Sequence, residues 1–580
     1  MEYQGIAAAS GYVLGPAYVL EDQQLQITRQ TIPSDSIEIE VQRLEDSVSR
    51  AIREIAGIKE AARQRLGEDE AEIFTAQILV LEDPEYLGAI KEKIRSEKMN
   101  AEAAVQEITE QFLTLFADLD HEYIRERAAD LRDVSHRLLR GLMGIQSLSL
   151  SAMTERVIVV AHDLTPSDTA RLDRSKVAGF VADIGGRTSH SAIMARTLGL
   201  PAVVGLQTIA AQVKNGDFLI VDGNAGKVFV NPSENMIQTY RNKQNELTGI
   251  NEELNQLIDK PTLTRDGVQV ELAANIGNPE DAKRALATGA EGIGLYRTEF
   301  LYMGRKDLPT EQEQFSAYQR VALMFGQKRP VVIRSLDIGG DKELPYLNIP
   351  KEMNPFLGYR AIRFCLDRTD IFKTQLRAIL RASAYGNIKL MFPMIATLQE
   401  LRAAYEVLEA VKQDLSKENI PFNAAMEVGI MVEIPAVAVL AEQFAQEVDF
   451  FSIGTNDLVQ YTLAADRLNE KVSYLYQPYN PAVLRLIQGV ISAAHQKGKW
   501  VGMCGEMAGD LTAIPILLGL GLDEFSMSAG SLLPARALLS QLTRSEARRM
   551  AETVLALNSA EEIKGFVEKE IPFITKIRNN

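Results

Sequence analysis

The stretch GIMVEIPAVAVLAEQFAQEVDFFSIGTND, residues 429–457, contains one strand–helix unit and the strand that opens the next. It begins with a short apolar, β-branched run, Gly429–Ile434. A Pro-led segment with helical spacing follows, and a second short run, Phe450–Gly454, ends it. The unit of short apolar strand, loop and amphipathic helix recurs through the 320 residues from Pro261 onward. Eight strand candidates stand out: Val270–Asn275, Gly292–Tyr296, Val331–Leu336, Ile388–Pro393, Gly429–Ile434, Phe450–Gly454, Trp500–Gly505 and Glu524–Ser528. Eight such units with right-handed crossovers close into a (β/α)8 barrel, and a doubly wound open sheet is the structural alternative.

In a barrel the functional groups sit where strands end, because the following loops build the site. Arg297 ends the second candidate, and Arg334 lies in the third, which runs on into Asp337 and Lys342. Glu433, Asn456 with Asp457, and Cys504 with Glu506 end the fifth, sixth and seventh. Planar guanidinium forks suit phosphate, so Arg297 and Arg334 are expected to address one anion, with Arg360 and Arg467 as outer candidates. The opposing reading pairs each arginine with a nearby acid in a structural network. Glu433 and Asp457, on adjacent strands, are suitable hard ligands for Mg²⁺. Cys504 reads either as a small buried core residue or, from its place at a strand end, as a proton donor. This is a site for a small phosphorylated carboxylate, and it lacks a nucleophile.

Outside the barrel the pattern changes. Gly11–Leu20 reads as a strand or hairpin, and residues 25–145 carry helical periodicity over Ile37–Leu66, Glu70–Leu81 and Ala101–Leu119. Strand candidates return at Arg156–Ala161, Val177–Ala182, Ala202–Val204 and Phe218–Val221. The economical division makes residues 1–21 and 150–230 one α/β domain with a helical bundle, 25–145, inserted into it. Residues 231–260 then form an exposed linker helix, softly interrupted at Gly249, and 261–580 the barrel.

The N-terminal half offers the missing nucleophile. In Gly185-Gly-Arg-Thr-Ser-His190-Ser-Ala-Ile-Met-Ala-Arg196, Gly-Gly makes a turn, Thr188 or Ser189 caps, and a helix runs to about Gly199. His190 therefore stands at a helix N-terminus, where free N–H groups favour a phosphate and neutral imidazole alike. The alternative is a capping or surface histidine. Thr165-Pro166 reads as a helix start that places Thr169 one turn in.

Charge sets limits on partners. With 62 Lys plus Arg against 78 Asp plus Glu the net charge is −16, which argues against a general nucleic-acid or anionic-membrane surface. Residues 25–145 hold 16 basic and 25 acidic side chains. Seven of those acids lie between Glu68 and Glu85, where no Lys or Arg occurs, so this is either a solvated face or a dock for a basic partner. The longest apolar run, Ile514–Leu522, is too short to span a bilayer. The N-terminus has no leader pattern, and Cys365 and Cys504 form no disulfide framework, so a cytoplasmic location is expected.

The segment around His190 resembles the phosphohistidine signature of the phosphoenolpyruvate-utilising enzymes, and Asp449–Tyr461 resembles their second signature. Leu295–Phe300, Asn354–Arg360 and Gly502–Glu506 fit the same pattern, and order and length are similar end to end to the Enzyme I branch of the bacterial sugar phosphotransferase system. The resemblance implies that His190 takes the phosphoryl group from phosphoenolpyruvate and passes it to the phosphocarrier protein HPr. It also implies that Arg297 and Arg334 hold phosphate, that Glu433 and Asp457 hold Mg²⁺, and that Asn456 and Arg467 contact substrate. Cys504 would then protonate the enolate, the bundle would receive HPr, and the barrel would form a homodimer. The rival enzymes are pyruvate–phosphate dikinase and phosphoenolpyruvate synthase. They need a nucleotide-binding domain, for which Gly226-Lys227 supplies no phosphate loop. A nitrogen-regulatory paralogue would carry a further N-terminal domain, for which no residues are expected before Tyr12, and an inactive scaffold would not need the full set of site residues.

Overall fold

The computed structural model describes residues 1–20, 27–65, 68–117, 122–145, 156–164, 175–186, 189–339, 342, 344–347, 349, 352–469 and 471–578. The chain divides into two compact units, with the boundary between Gly249 and Ile250.

The first unit is built on a mixed eight-stranded sheet. Its strands are β1 (Glu2–Gln4), β2 (Ile6–Ala9), β3 (Tyr12–Val19), β4 (Val157–Ala161), β5 (Val177–Ala182), β6 (Ala202–Val204), β7 (Phe218–Asp222) and β8 (Lys227–Val230). They lie in the order β1-β8-β7-β3-β4-β5-β6-β2. The run VIVVA of β4 is buried on both faces: Val157, Val159 and Ala161 join one apolar cluster, Ile158 and Val160 the other. An uninterrupted hydrophobic run is what such a two-sided central strand requires. Because β3 pairs with both β4 and β7, the first residues of the chain are structurally part of the segment beyond residue 156.

Between β3 and β4 the described residues form five α-helices, α1 (Ile37–Arg65), α2 (Glu68–Leu81), α3 (Pro84–Glu97), α4 (Ala101–Ala117) and α5 (Glu122–Leu142). Leu44, Ile55, Ile90, Ile94, Val105, Val134 and Leu138 form their shared core. Asp83 caps α3 by accepting from the N–H groups of Glu85 and Tyr86, with Pro84 at the first helical position. Within the acidic run, Glu82, Asp83 and Glu85 are exposed.

The helix Glu234–Asn255 runs continuously through Gly249. Its first half differs from the exposed connector that the sequence suggests. Tyr240 is buried edge-on against Tyr12 and beside Phe229, and donates to Asp222 Oδ2 at 3.0 Å. The aromatic ring seals the sheet face, which a purely polar connector could not do.

The second unit is a closed, all-parallel barrel of β9 (Glu271–Ile276), β10 (Gly292–Arg297), β11 (Val331–Arg334), β12 (Ile388–Phe392), β13 (Val428–Val432), β14 (Phe450–Ile453), β15 (Trp500–Met503) and β16 (Glu524–Met527). Pairing of β16 with β9 completes the ring and rules out the open sheet. On four strands the pleat alternates plainly: Val332, Met391, Met431 and Phe450 meet inside the barrel, whereas Ile333, Leu390, Ile430 and Phe451 face the surrounding helices, and on β10 a register shift between Ile293 and Leu295 turns Leu295 inward as well. This period of two decides what reaches the mouth of the barrel. No helix among the described residues is long and apolar enough to cross a membrane.

Candidate active site

On four strands an inward-facing position is followed two residues later by a functional one. Leu295 leads to Arg297, Val332 to Arg334, Met431 to Glu433, and Gly502 to Cys504, so these side chains share the inner face at the C-terminal mouth. Arg297 and Arg334 are also in direct register across β10 and β11, which aims both at one place.

The loops after β10 and β11 close a buried charge network over them. Arg334 Nη2 lies 2.7 Å from Glu299 Oε1 and 3.0 Å from Asp337 Oδ2. Lys342 Nζ reaches the same two carboxylates at 2.7 and 3.2 Å. Arg360 pairs with Asp337 Oδ1 at 3.0 Å and Asp457 Oδ2 at 3.3 Å, and Arg467 with Asp457 Oδ1 at 2.6 Å. Burial by itself would raise the Glu299 and Asp337 carboxyls. Arg334 and Lys342, joined at Asp337 by Arg360, overcome it and hold both below the usual carboxylate range.

Three outcomes follow for the sequence expectations. Arg334, Arg360 and Arg467 are indeed paired with acids, while Arg297 has no ion pair among the described residues. Arg360 is not an outer residue: it is only 2% exposed, deeper than the half-buried Arg297. The cause is the fold of the loop beyond β11, which turns back over the mouth. The Ala361 N–H donates to Ile338 O at 2.9 Å, and the Gly339 backbone packs so closely on Arg360 that a Cβ there would lie 2.7 Å from Arg360 Cβ. Glu299, Asp337 and Lys342, which were assigned no role from sequence, organise the network. Their only sequence signal is position, directly behind β10 and β11.

Glu433 accepts from the Met394 N–H at 2.6 Å and is pushed up to about 8, first by burial and then by the negative charges of Asp457 and Asp337. Two carboxylates at neighbouring strand ends, Glu433 raised in part by the charge of Asp457, fit a divalent cation. No group of three or more His, Cys, Asp or Glu suited to a metal occurs among the described residues, so water or substrate oxygens would complete its coordination. Asn456 Oδ1 accepts from the Glu506 N–H at 3.1 Å, which ties the loops after β14 and β15 together. Cys504 is 3% exposed, and burial pushes its thiol up to about 11.

In the first unit, Ser189 caps the helix His190–Leu198 by accepting from the Ala192 N–H, and Gly199 ends it at φ 61°. His190 is the first residue of that helix, but its side chain lies outside the described set, as do Arg187, Thr188, Thr165, Pro166 and Thr169.

Three family models match this chain: the PEP-binding domain of PEP-utilising enzymes over residues 251–544, their N-terminal domain over 4–127 and their mobile domain over 153–226. The chain belongs to the phosphoenolpyruvate-utilising enzyme family. Among its members, it is 59% identical over 565 residues to a phosphoenolpyruvate-protein phosphotransferase of Geobacillus stearothermophilus, covering 97% of each chain. A protein of the same name from Bacillus subtilis is 56% identical, covering 98% of this chain and 99% of its own. Among solved structures, an NMR solution structure of Enzyme I shares 41% identity and covers 42% of this chain and 98% of its own, with a TM-score of 0.38. In this family member the closed barrel and the α/β unit with its helical bundle are those inferred from sequence.

Proposed function

We propose that this protein is a phosphoenolpyruvate–protein phosphotransferase of the Enzyme I type, carrying phosphoryl groups from phosphoenolpyruvate through His190 to HPr. The observation that carries this reading is the convergence of Arg297, Arg334, Lys342, Arg360 and Arg467 on one barrel mouth that also holds Glu433, Asp457 and a protonated thiol. Phosphoryl transfer demands mainly positioning and charge neutralisation, and this set supplies both.

In the reaction so read, Arg297 and Arg334 grip the phosphate while Arg467 and Asn456 orient the rest of the substrate. The His190 imidazole attacks phosphorus, the N–P bond forms and the bond to the enol oxygen breaks. Glu433 and Asp457 would hold Mg²⁺, which when bound neutralises charge on the departing oxygen. Cys504 gives its proton to C3 of the enolpyruvate, completing pyruvate. Position at the first turn of a helix stabilises the phosphorylated form of His190.

The acid excess of the bundle, with exposed Leu79 and Leu115 among its charges, supports a dock for the basic face of HPr. Met353, Leu357, Leu468 and Tyr474 are exposed apolar residues on the loops that carry Arg360 and Arg467, which supports a homodimer through the barrel. His190 has to serve both donor and acceptor, so the helix Glu234–Asn255 is read as the swivel. Incubation with labelled phosphoenolpyruvate and Mg²⁺ is expected to label wild-type protein at His190 and leave His190→Ala blank. Label on another residue, or none, overturns the reading. Pyruvate–phosphate dikinase chemistry would instead require labelling from ATP.

A further inference from the structure

Below the active-site mouth the barrel holds a second, deeper acidic feature. Glu271, the first residue of β9, and Glu524, the first of β16, are direct neighbours in register. Glu524 is in turn in register with Gly502 on β15, two residues before Cys504 on the same face. Both carboxyls point into the barrel, because their sequence neighbours Leu272 and Phe525 belong to the outer cluster. Glycines leave the room: a Cβ on Gly502 would lie 2.6 Å from Glu524 Oε2, one on Gly292 2.6 Å from Glu271 Oε1, and one on Gly294 would overlap Glu524 Oε1 outright. Within this space Glu524 Oε1 and Glu271 Oε1 are buried and have no hydrogen-bond partner among the described residues.

Two adjacent buried carboxylates cannot both remain ionised without partners. The charged groups facing them are Lys389 from β12, Glu291 ahead of β10, Asp523 ahead of β16 and Cys504 above. Only Lys389 is cationic, and it is already engaged by Glu427 at 2.7 Å. Glu291 is likewise committed, accepting from the N–H groups of Thr262 and Leu272. Protons are what remain to neutralise the pair.

We propose that Glu524 and Glu271 form a proton store inside the barrel that reloads Cys504 after each turnover. The inference rests on Cys504 being the acid that completes pyruvate. Once Cys504 has given its proton to C3 of enolpyruvate it is a thiolate. The Glu524 O–H bond breaks as the S–H bond re-forms. Glu271 then passes its proton to the Glu524 carboxylate, and takes one from water at the half-buried start of β9. One solvent proton enters for each pyruvate formed, with no other change. Burial and mutual repulsion lift Glu271 to about 7 and Glu524 well above its ordinary value, so the pair holds protons for the thiolate to take. Gly502 has no side chain to stand between the Glu524 carboxyl and Cys504.

The test uses full-length protein with excess phosphoenolpyruvate, Mg²⁺ and HPr, followed by rapid quench. The first turnover consumes the proton already on Cys504, whereas later ones need the store. Glu524→Gln should keep first-turnover pyruvate formation within about threefold of wild type and lose at least about tenfold in the steady-state rate at unchanged KM. Glu271→Gln, entering from the far end, should do the same. A simple structural role would lower both phases together, and that result, or a steady-state rate unchanged in both variants, overturns the store. Infrared difference spectra give a reading independent of activity: the carbonyl stretch of a protonated carboxyl should be present in wild type at neutral pH and diminished in Glu524→Gln. Its absence from wild type overturns the proposal even if the phosphotransferase reading stands. Wild type that shows the stretch but forms no phosphohistidine overturns the phosphotransferase reading and, with it, the reloading of Cys504.

Discussion

Cys504 offers the sharpest chemical test of the barrel mouth. Burial lifts its thiol to about 11, so at pH 7.5 the thiolate is only about one part in 3,000, against about one in ten for a thiol at its ordinary value near 8.5. A buried thiol in this state is a loaded acid and a poor nucleophile. Two results should follow. Iodoacetamide should modify Cys504 about 300-fold more slowly than a free thiol at pH 7.5, the ratio of the two thiolate fractions. Cys504→Ala should bind phosphoenolpyruvate normally yet slow pyruvate formation by about 10²–10⁴, the usual worth of a positioned acid and about 3–5 kcal/mol in the barrier. The sign of the pH effect is fixed: the acid form exists below the thiol's value and disappears as pH rises through it. The limb due to Cys504 should therefore appear near pH 11 rather than near 8.5, read as the rate of pyruvate formation in wild type against Cys504→Ser. An alkaline limb at pH 8–9 that vanishes in Cys504→Ser would refute the buried-acid picture, as would Cys504→Ala at full speed.

Three further outcomes test other parts of the molecule. Asp457→Asn should raise the Mg²⁺ concentration for half-maximal activity at least about tenfold without altering circular dichroism, and Mn²⁺ binding followed by electron spin resonance checks it. Arg536 is buried and donates to Leu257 O, Ile258 O, Gly289 O and Thr262 Oγ1. Arg536→Met strands three carbonyls and should cost the barrel about 3 kcal/mol or more, visible as a lower melting temperature. Glu271, raised to about 7, binds its proton more tightly in the folded barrel than in the unfolded chain. Its contribution to stability is therefore complete below about pH 4.5 and declines as pH rises to about 7, by about 3 kcal/mol in all. Glu271→Gln should flatten that decline in urea titrations, and an equally steep slope in the variant would remove the assignment.

How much of this was legible in sequence depends on the range over which the signal acts. All eight barrel strands were readable as short apolar runs, five of them leading into charged, amide or thiol residues, because alternation and strand ends are local properties. The helix at His190 was readable for the same reason, from a cap, a short apolar stretch and Gly199. The edge strand Glu2–Gln4 and its neighbour Lys227–Val230 were not. Each is only a few residues long, and they pair with one another from opposite ends of the first unit, so neither carries a local pattern. Arg360 was read as peripheral because 26 residues separate it from Arg334 along the chain. The hydrogen bond from Ala361 to Ile338 that returns it to the mouth is a tertiary event. Likewise Tyr240 looked like one apolar position on a polar helix until the sheet supplied Tyr12 and Phe229.

The ion pairs at the mouth also bear on how it works. Paired arginines ordinarily weaken a site for an anion, since substrate has to displace the partner acid. Here the partners are distributed unevenly. Asp337 serves Arg334, Lys342 and Arg360, and Asp457 serves Arg360 and Arg467. One carboxylate thus serves several forks at once, and Arg297 brings a further fork with no ion pair among the described residues. On the phosphotransferase reading, a phosphorylated carboxylate entering this set would draw Arg360 and Arg467 off Asp457. The acid so released is one of the two that would hold a divalent cation, whose charge would offset the repulsion that adds to burial in raising Glu433. Anion and cation would then each improve the site for the other, and by linkage the two gains would be equal. Before substrate arrives, the same pairs keep buried arginines from standing without partners. On that reading the resting network would preorganise the guanidinium groups rather than compete with binding, and would give up a carboxylate where the metal needs one.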